Sequence, residues 1–396
     1  MGGRNNLAND ILFTKQGRRT DSVFGELVVP LMGKKWRPVP VESLELNFSG
    51  RYEETNDSTA ATTGAVAVKL ALTRDVTLRA SRTEGFFPPE QSSISLADYR
   101  FATSITNNFT FVDPRRGRLA QVNVPLTNAA GPNPDLKSET SISDNFGLIF
   151  TPRFAKGLRL SLDFWKTSKI DAIRTPTLQQ LLDNEAFYPE RVARGPKLAT
   201  DPADWAGVVT GVDTRAINFS SIETDGIDAQ VSYAIPTDHL GEFTFRARQT
   251  FTNHFYTTIT PATAPVDSVE TRDGALKWKG NASIFWNRAD WTSGISARYT
   301  HSYKTETTIA SLQFPGGTGV DGDRIASDLV WDYQVGYKVA YRADARGWRG
   351  WVSGTQWTVN VLNVFDRMPP WFSTGFYSRF SDPRMRYVSF QVKKSF

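Results

Sequence analysis

The chain has 396 residues, of which 40% are hydrophobic and 12% aromatic, and it carries a formal net charge of +5. That apolar content excludes an intrinsically disordered protein, and the mild charge, spread along the chain, excludes the clustered basic surface of a nucleic-acid-binding domain. The lack of cysteine excludes disulfides and thiolate metal sites, and the lack of any run of about 18 apolar residues excludes a transmembrane helix.

The N-terminal segment, residues 1–20, comes before the first regular pattern. Its opening residues, 1–17, lack the basic start, the apolar stretch and the small-residue cleavage site of a signal peptide. Residues 7–13 offer at most one additional strand. We therefore expect residues 1–20 to be poorly defined and residues 21–396 to form a single domain.

About thirteen strand-like segments follow, in which apolar and polar side chains alternate. Successive side chains of a strand lie on opposite faces, so each segment has one apolar and one polar face. Each is about ten residues long, the length at which a tilted strand crosses a bilayer. Helical periodicity is confined to residues 178–182, inside a loop. The strand-like segments are 22–29, 44–52, 66–73, 76–81, 141–150, 158–164, 228–233, 243–251, 276–286, 291–299, 329–342, 356–361 and 384–396.

The connections between these segments alternate in length. Short turns on the periplasmic side and long loops outside are typical of outer-membrane β-barrels, whereas a soluble β-sandwich has no reason to sort its loops in this way. The pattern therefore favours an all-β fold, an antiparallel transmembrane β-barrel. The short connections are 73–75, 152–156, 236–241 and 287–290, and the long ones are 85–139, 174–216, 257–273, 303–327 and 366–383.

Aromatic residues on the apolar faces lie toward the strand ends, where a barrel carries its interfacial girdles. The alternative interpretation of these residues is the ordinary core of a β-sandwich. The last segment ends on Phe396, which resembles the C-terminal signature of outer-membrane barrel proteins and implies the barrel-assembly machinery as a partner. The aromatic pairs are Trp278 with Trp286, Trp291 with Tyr299, and Trp331 with Tyr341.

Five groups of motifs resemble those of TonB-dependent outer-membrane receptors, and they occur in the family's order from about residue 20 onward. The resemblance implies a receptor of the Gram-negative outer membrane that takes up a scarce nutrient, such as a ferric siderophore, with energy relayed by TonB. It also implies a barrel of 22 strands around a plug. The motifs are FGELVVPL at 24–31, LRAS at 78–81 with GFFPP at 85–89, NPDLKSET at 133–140, GIDA at 226–229 with Tyr233, and NVLNVFDR at 360–367 with Pro369 and Pro370.

The chain departs from the family pattern because it lacks a plug domain, a TonB-binding box and a signal peptide. About thirteen strands are fewer than 22, and an odd number of antiparallel strands does not close into a barrel. We therefore expect the C-terminal part of a receptor barrel, a fragment that would couple to TonB only in a full-length form with a plug. The alternatives are a plugless passive channel or adhesion barrel and, from another class, a soluble secreted β-protein that acts on glycans.

Basic side chains outnumber acidic ones on the polar, inward faces of the predicted strands. A basic lumen attracts an anionic ligand such as a ferric chelate. The alternative is that these groups pair with carboxylates of a plug or with one another. The candidate ligand-binding residues of the lumen are Arg79, Arg159, Arg246, Arg248 and Arg298.

The long outer loops carry a second set of candidates. Loops on a rigid scaffold commonly bind ligands, and aromatic rings beside arginines suit a siderophore or a glycan. Ordinary packing within the loops is the alternative. These candidates are Tyr99, Phe109, Arg115, Arg116 and Trp205.

We expect no catalytic residue, no resident metal and no cofactor; besides TonB and the barrel-assembly machinery, the expected partners are outer-membrane lipid and a small ligand, not nucleic acid. The sequence has no nucleophile elbow, zinc-protease motif or phosphate-binding loop. Asp163 and Asp228 face inward and match the carboxylate pair of a glycosidase in residue type, with pairing to arginines as the alternative. His254 and His301 are predicted near the outer rim but lack the spacing of metal ligands.

Overall fold

The computed structural model describes residues 17–32, 41–57, 60–94, 101–105, 110–122, 125–258, 260, 263–272, 274–304, 320–321, 324–344, 346–373 and 376–394. The additional strand predicted at residues 7–13 lies outside this part of the chain. The candidate residues Tyr99 and Phe109 and the terminal Phe396 lie outside it as well.

Thirteen strands lie side by side in one antiparallel sheet, in the order of the sequence, and each corresponds to a predicted segment. A fourteenth, short strand, Val266–Asp267, pairs with the strand Gly241–Thr258. The thirteen strands are β1 (Thr20–Met32), β2 (Ser43–Thr55), β3 (Ala61–Ala71), β4 (Val76–Phe87), β5 (Glu139–Phe150), β6 (Leu158–Arg174), β7 (Ile217–Thr237), β8 (Gly241–Thr258), β9 (Trp278–Arg288), β10 (Trp291–Thr300), β11 (Asp328–Lys338), β12 (Thr355–Leu362) and β13 (Tyr387–Lys394).

The register of the sheet follows the alternation in the sequence. Leu160 on β6, for example, lies opposite Phe150 on β5 and Val231 on β7, so apolar residues of neighbouring strands share the outward face. Strands β6, β7 and β8 have 17, 21 and 18 residues, more than a bilayer requires, and they extend beyond it at the end that carries the long loops.

The outward faces of the strands remain uncovered. Phe146 is 55% exposed, Leu162 51% and Phe390 61%. A β-sandwich would bury such a face against a second sheet, whereas a barrel presents it to lipid. The large buried hydrophobic side chains instead lie in the connections and at the outer ends of strands, for example Phe111, Leu126, Leu181, Leu182, Val209, Phe219, Tyr303 and Ile325. The outward faces are therefore the lipid-facing surface of a membrane barrel.

Aromatic residues mark two levels on this outward surface. Near the long loops, the rings of Trp278 and Tyr299 are 5.1 Å apart, and near the short turns those of Trp291 and Tyr337 are 4.7 Å apart. Trp286 lies on the same strand as Trp278, and a rise of about 3.3 Å per residue at a tilt of about 40° places the two levels roughly 20 Å apart. This separation matches the apolar band of an outer-membrane barrel.

The connections are sorted by length between the two ends of the sheet, with three exceptions. At one end lie the tight turns 72–75, 151–157, 238–240 and 289–290, and at the other lie the long loops 88–138, 175–216, 259–277, 301–327 and 363–386. The short connection 56–60 lies at the long-loop end, and the longer connections 33–42 and 339–354 lie at the short-turn end. The prediction that short and long connections alternate along the chain is therefore wrong at these connections, although the five longest loops all lie at one end of the sheet.

Two of the long loops, 88–138 and 175–216, fold together into a compact unit, which we call the loop cap. Val209–Asp213 pairs with Val192–Arg194 on one side and, in parallel, with Leu126–Ala130 on the other, which in turn pairs with Phe101–Ile105. A hairpin of Thr110–Asp113 and Leu119–Val122 completes the strands of the cap. Its hydrophobic core consists of Phe111, Leu126, Leu181, Leu182, Val192, Val209 and Val212.

The remaining long loops meet around a smaller cluster of Leu276, Tyr303 and Ile325, against which Phe380 packs. The predicted segment 276–286 starts two residues too early, because β9 begins at Trp278 and Leu276 is buried in this cluster. The short strands here are Tyr303–Lys304, Arg324–Ile325, Val320–Asp321, Trp371–Ser373 and Phe376–Tyr377.

Helices are few and short. α1 (Gln91–Ile94) and α2 (Leu178–Asp183) lie in the loop cap, with the 3-10 turn Pro189–Arg191, and α3 (Trp348–Val352) lies in the connection 339–354. α2 confirms the predicted helical segment, and its first turn is closed by a capping box of Thr177 and Gln180. No helix in the described part of the chain is long and apolar enough to cross a membrane.

Candidate functional site

Two of the five candidate arginines of the lumen are neutralised by acidic partners. Arg79 on β4 donates two hydrogen bonds to Asp163 on β6, from Nε to Oδ1 at 2.8 Å and from Nη2 to Oδ2 at 2.7 Å. Arg298 forms an ion pair with Asp332, with Nε 3.1 Å from Oδ2. The alternative interpretation, in which inward-facing arginines pair with acidic residues of the same chain, therefore applies to these two arginines.

The pair of Arg79 and Asp163 spans the strand between them, β5. Both residues lie opposite Gly147 in the register, one on each side. A Cβ atom on Gly147 would lie 2.0 Å from Asp163 Oδ1 and 2.8 Å from Arg79 Nε, so only glycine leaves room for the pair. Ser161 donates a further hydrogen bond to Asp163, at 2.8 Å. Asp228, directly opposite Asp163, accepts one from Thr250 at 2.6 Å.

Arg246 and Arg248 on β8 have no acidic partner among the described residues. The guanidinium carbon of Arg246 lies 6.0 Å from the centre of the Phe285 ring, which itself faces the lumen over Gly294. Arg248 donates one long hydrogen bond, 3.4 Å, to the amide of Gln230. The two arginines line a cavity of about 370 Å³ together with neutral polar side chains, namely Gln230, Asn281, Ser283 and Ser296. This patch is a basic surface with unused donor capacity.

Arg159 on β6 lines a second cavity, of about 860 Å³, near the short-turn end of the lumenal face. Lys69 and Arg79 line the same cavity, and Glu45 is its one acidic residue. Arg159 and Lys69 form no ion pair within the part of the chain that the structure describes. Three of the five candidate arginines, Arg159, Arg246 and Arg248, therefore carry uncompensated charge on the lumenal face.

In the loop cap the structure brings three of the predicted outer residues together. Arg116 is buried and donates to both oxygens of Asp201, at 2.7 Å each, and to the carbonyl of Ala206. Its guanidinium carbon lies 5.2 Å from the centre of the Trp205 ring, which packs over Gly117. Arg116 and Trp205 thus hold the cap together, whereas the side chain of Arg115 is 60% exposed and forms an ion pair with Glu185 at 2.9 Å.

The residue at the centre of this charge network, Arg194, was not among the sequence candidates. Its guanidinium donates to both Asp113 oxygens and to both Glu185 oxygens, at 2.6–3.0 Å. Burial opposes ionisation of Glu185, but the hydrogen bonds and charge of Arg194, with those of Arg115, outweigh it and lower the pKa of Glu185. No local pattern marks Arg194, because its partners lie in two different loops.

The family-like motif NPDLKSET joins the loop cap to the barrel wall. Asn133 donates to the carbonyl of Ala216 at 2.8 Å, just before β7. The backbone of Lys137 exchanges two hydrogen bonds with the side chain of Asn218, which also donates to the carbonyl of Asp171. These contacts tie the start of β5 to the outer ends of β6 and β7, which is a structural role for the motif.

The two predicted rim histidines do not meet. His254 Nδ1 lies 3.0 Å from Asp225, and His301 Nε2 lies 3.4 Å from Glu270, which also faces Lys277 and Arg324. Within the described residues, no group of three or more His, Cys, Asp or Glu side chains is placed to hold a metal ion.

The family model for TonB-dependent receptor-like β-barrels matches residues 2–364. This chain belongs to the TonB-dependent receptor β-barrel family. Members of the family are outer-membrane proteins of Gram-negative bacteria, and they are transporters rather than enzymes. A search of curated protein sequences finds no match.

The fold is similar to that of solved receptors of this family. The siderophore receptor PirA from Acinetobacter baumannii matches with a TM-score of 0.59 at 16% identity, covering 96% of this chain and 46% of that one. A variant of the ferric enterobactin receptor PfeA from Pseudomonas aeruginosa, in complex with enterobactin, matches with a TM-score of 0.60 at 14% identity, covering 95% and 45%. The FrpB iron transporter from Neisseria meningitidis matches with a TM-score of 0.50 at 11% identity, covering 95% and 45%. The chain thus spans about half the length of the receptors it matches.

Proposed function

We propose that this chain forms part of the barrel wall of a receptor that takes up an anionic iron chelate, energised through TonB. In this proposal the barrel is completed by further strands that pair with β1 and β13, and we call that complete barrel, with its plug, the assembled receptor. The observation that carries the proposal is the uncompensated basic patch of Arg246 and Arg248 on the lumenal face. The names of the similar structures, two siderophore receptors and an iron transporter, support the choice of an iron chelate.

The cations of the lumen have distinct roles in this proposal. Arg246 and Arg248 attract and guide the anion, because a low-dielectric wall with uncompensated charge concentrates counter-ions at its surface. Arg159 continues the basic surface toward the periplasm, while Arg79 joins β4 to β6 and Arg298 joins β10 to β11 through their acidic partners.

In the loop cap, Arg115 is the candidate for a first contact with the ligand, because its side chain is exposed. Arg116 and Trp205 support the shape of the cap. Tyr99 and Phe109 remain sequence-based candidates for the same surface.

The proposal is tested by uptake of radiolabelled iron into cells that produce the assembled receptor. Changing Arg246→Gln and Arg248→Gln together should lower uptake of an anionic ferric tris-catecholate roughly 2- to 30-fold, since each exposed charged contact contributes roughly 0.2–1 kcal/mol. Uptake of a neutral ferric tris-hydroxamate through the same barrel, where it occurs, should not change.

A matched control changes two arginines at the short-turn end, Arg153→Gln and Arg288→Gln, and should transport normally. Equal uptake of the anionic chelate by both double variants would contradict the role of Arg246 and Arg248. Uptake that persists in cells without TonB would instead indicate a passive channel.

We also propose that the barrel-assembly machinery recognises β13 together with the aromatic residue Phe396 that follows it. β13 alternates between exposed apolar side chains and polar ones up to Lys394, and Phe396 continues the apolar set. Deleting Phe396 should lower the amount of assembled receptor in the outer membrane, as measured on immunoblots of membrane fractions.

A further inference from the structure

The connection 339–354, between β11 and β12, differs from the tight turns beside it. It is longer than the neighbouring turns 238–240 and 289–290, and it contains helix α3. It lies at the short-turn end of the sheet, where the backbone N–H of Lys338 donates to the carbonyl of Asp290 in the next turn. In this family that end faces the periplasm.

Helix α3 is fixed on the lipid-facing side of the barrel wall. Lys394 of β13 follows Val388, Phe390 and Val392 on the outward face, and its Nζ donates to the carbonyls of Gly350 and Trp351, at 2.9 and 3.1 Å. On β12, Thr355 Oγ1 donates to the carbonyl of Val352 and accepts from the indole of Trp357, itself an outward-facing residue. The last turn of the helix is therefore anchored to the outward surface of two strands.

The helix presents two tryptophans that nothing in the described structure covers. Trp348 is 72% exposed and Trp351 80%, and a spacing of three places them on one side of the helix. Tyr341, in the same connection, is 65% exposed. They continue the aromatic level of the barrel near the short turns, where Trp357 lies 5.6 Å from Phe390. Indole and phenol rings favour the boundary between acyl chains and head groups.

The charge of this segment is positive and unpaired. Arg342, Arg346 and Arg349 form no ion pair among the described residues, and Asp344 is the one acidic residue between 339 and 354. The guanidinium carbon of Arg349 lies 5.6 Å from the centre of the Trp348 ring, so cation and ring lie together. Arginine beside tryptophan suits a phosphate at the edge of an apolar layer, because guanidinium binds phosphate oxygens in a bidentate manner.

We propose that the segment 339–354 is an interfacial anchor that binds phospholipid of the periplasmic leaflet. Trp348, Trp351 and Tyr341 lie at the boundary of the acyl chains, and the three arginines bind lipid phosphates, with a preference for anionic phosphatidylglycerol over zwitterionic phosphatidylcholine. The proposal rests on the position, exposure and charge of this segment and not on the identity of the transported ligand.

The test uses the assembled receptor in lipid nanodiscs and exploits the lack of cysteine in this chain. Any cysteine elsewhere in the receptor is changed to serine, and Trp351→Cys is labelled with a small fluorophore. Phosphatidylglycerol and phosphatidylcholine are supplied with a nitroxide either close to the head group or near the end of the acyl chain. Leu198→Cys, in the exposed part of the loop cap at the opposite end of the barrel, is the matched control.

We expect the label at position 351 to be quenched several-fold more by the shallow nitroxide than by the deep one, and the control label by neither. Shallow phosphatidylglycerol should quench it several-fold more than shallow phosphatidylcholine. In a variant with Arg342→Gln, Arg346→Gln and Arg349→Gln this preference should disappear, since each basic residue near the surface favours anionic lipid about fivefold. Should the variant at 351 fail to fold, Trp348→Cys provides the same readout.

Three results would overturn the proposal. Strong quenching by aqueous iodide and none by lipid would place the helix in the periplasm, where a protein partner would cover it. Strongest quenching by the deep nitroxide would place it within the hydrocarbon. Equal quenching by both shallow lipids would remove the role of the arginines.

Discussion

At the scale of single residues, one glycine determines how a charge pair can form inside the barrel. Arg79 and Asp163 lie on strands that are not neighbours, and their side chains meet across the empty position of Gly147 on β5. The bidentate geometry gives this pair more directional strength than a single exposed ion pair. Gly147 therefore allows the ion pair to form because it has no Cβ atom to occupy the space between the two side chains.

Changing Gly147→Ala should destabilise the assembled receptor by roughly 1–3 kcal/mol, the range found for overpacking at a filled site. The added methyl group would lie 2.0 Å from Asp163 Oδ1 and would force the pair apart. The matched control is Gly50→Ala on β2, where the nearest atom would be 4.0 Å away. The check is the temperature at which the folded band disappears on a semi-native gel. Equal midpoints for the two variants would contradict this account.

The lumenal arginines show what the sequence can and cannot predict at this scale. Alternation alone identifies Arg79, Arg246 and Arg248 as inward-facing, because strand geometry leaves only two faces. Whether an inward arginine is paired depends on the register of strands far apart in sequence. Asp163 lies 84 positions from Arg79, and no local pattern connects them.

At the scale of elements, the loop cap behaves as a unit because it has its own hydrophobic core and its own buried charges. Phe111 and Leu126 from one loop pack with Leu181, Val192 and Val209 from the other. Arg194 and Arg116 then join the two loops through carboxylates. Helical periodicity at residues 178–182 predicts helix α2, whereas the short strands of the cap and the pairing of the two loops were not predicted, because they depend on contacts that local sequence does not encode.

The loop cap should loosen in acid before the barrel strands do. The pKa of Glu185 is lowered by Arg194, and the pKa of Asp201 is lowered mainly by its hydrogen bonds with Arg116. A carboxylate with a lowered pKa in the folded state stabilises fully above its unfolded pKa, about 3.9–4.3, and this contribution declines as the pH falls below that range. Protection factors against hydrogen exchange, which are corrected for the pH dependence of the intrinsic rate, should therefore fall at residues 110–122 and 178–213 as the pH drops below about 4.

Two variants test the origin of this acid response. Glu185→Gln should weaken the cap at pH 7 by roughly 1–3 kcal/mol, through loss of charged hydrogen bonds, and should flatten its pH dependence. The control Glu190→Gln removes an exposed carboxylate from the same loop and should leave exchange unchanged. An unaltered acid response in Glu185→Gln would show that the network does not govern it.

At the scale of the whole molecule, the sheet formed by the described residues has two free edges, β1 and β13, which cannot pair with each other in the antiparallel manner of a barrel. β1 and β13 run in the same direction, because every second strand of an antiparallel sheet has the same direction and these are the first and the thirteenth strands. For the same reason two copies that share a membrane orientation would bring β1 and β13 together in parallel. Closure requires an odd number of additional strands.

Produced by itself, this 396-residue chain should therefore aggregate and should not yield a heat-modifiable band on a semi-native gel. Exposed backbone donors and acceptors along β1 and β13 are templates for unspecific pairing with other chains. The control is an outer-membrane barrel of similar size folded under the same detergent conditions. A discrete heat-modifiable band from the chain alone would contradict the prediction.

The loop cap also has a consequence for recognition from outside the cell. The cap is assembled from pieces distant in the chain, since Asp113 and Arg194 are 81 positions apart and Arg116 and Asp201 are 85 apart. An antibody against the native cap should therefore see a discontinuous epitope. A synthetic peptide that copies residues 110–122 lacks the second loop, so serum raised against it should stain the denatured chain on a blot and not intact bacteria.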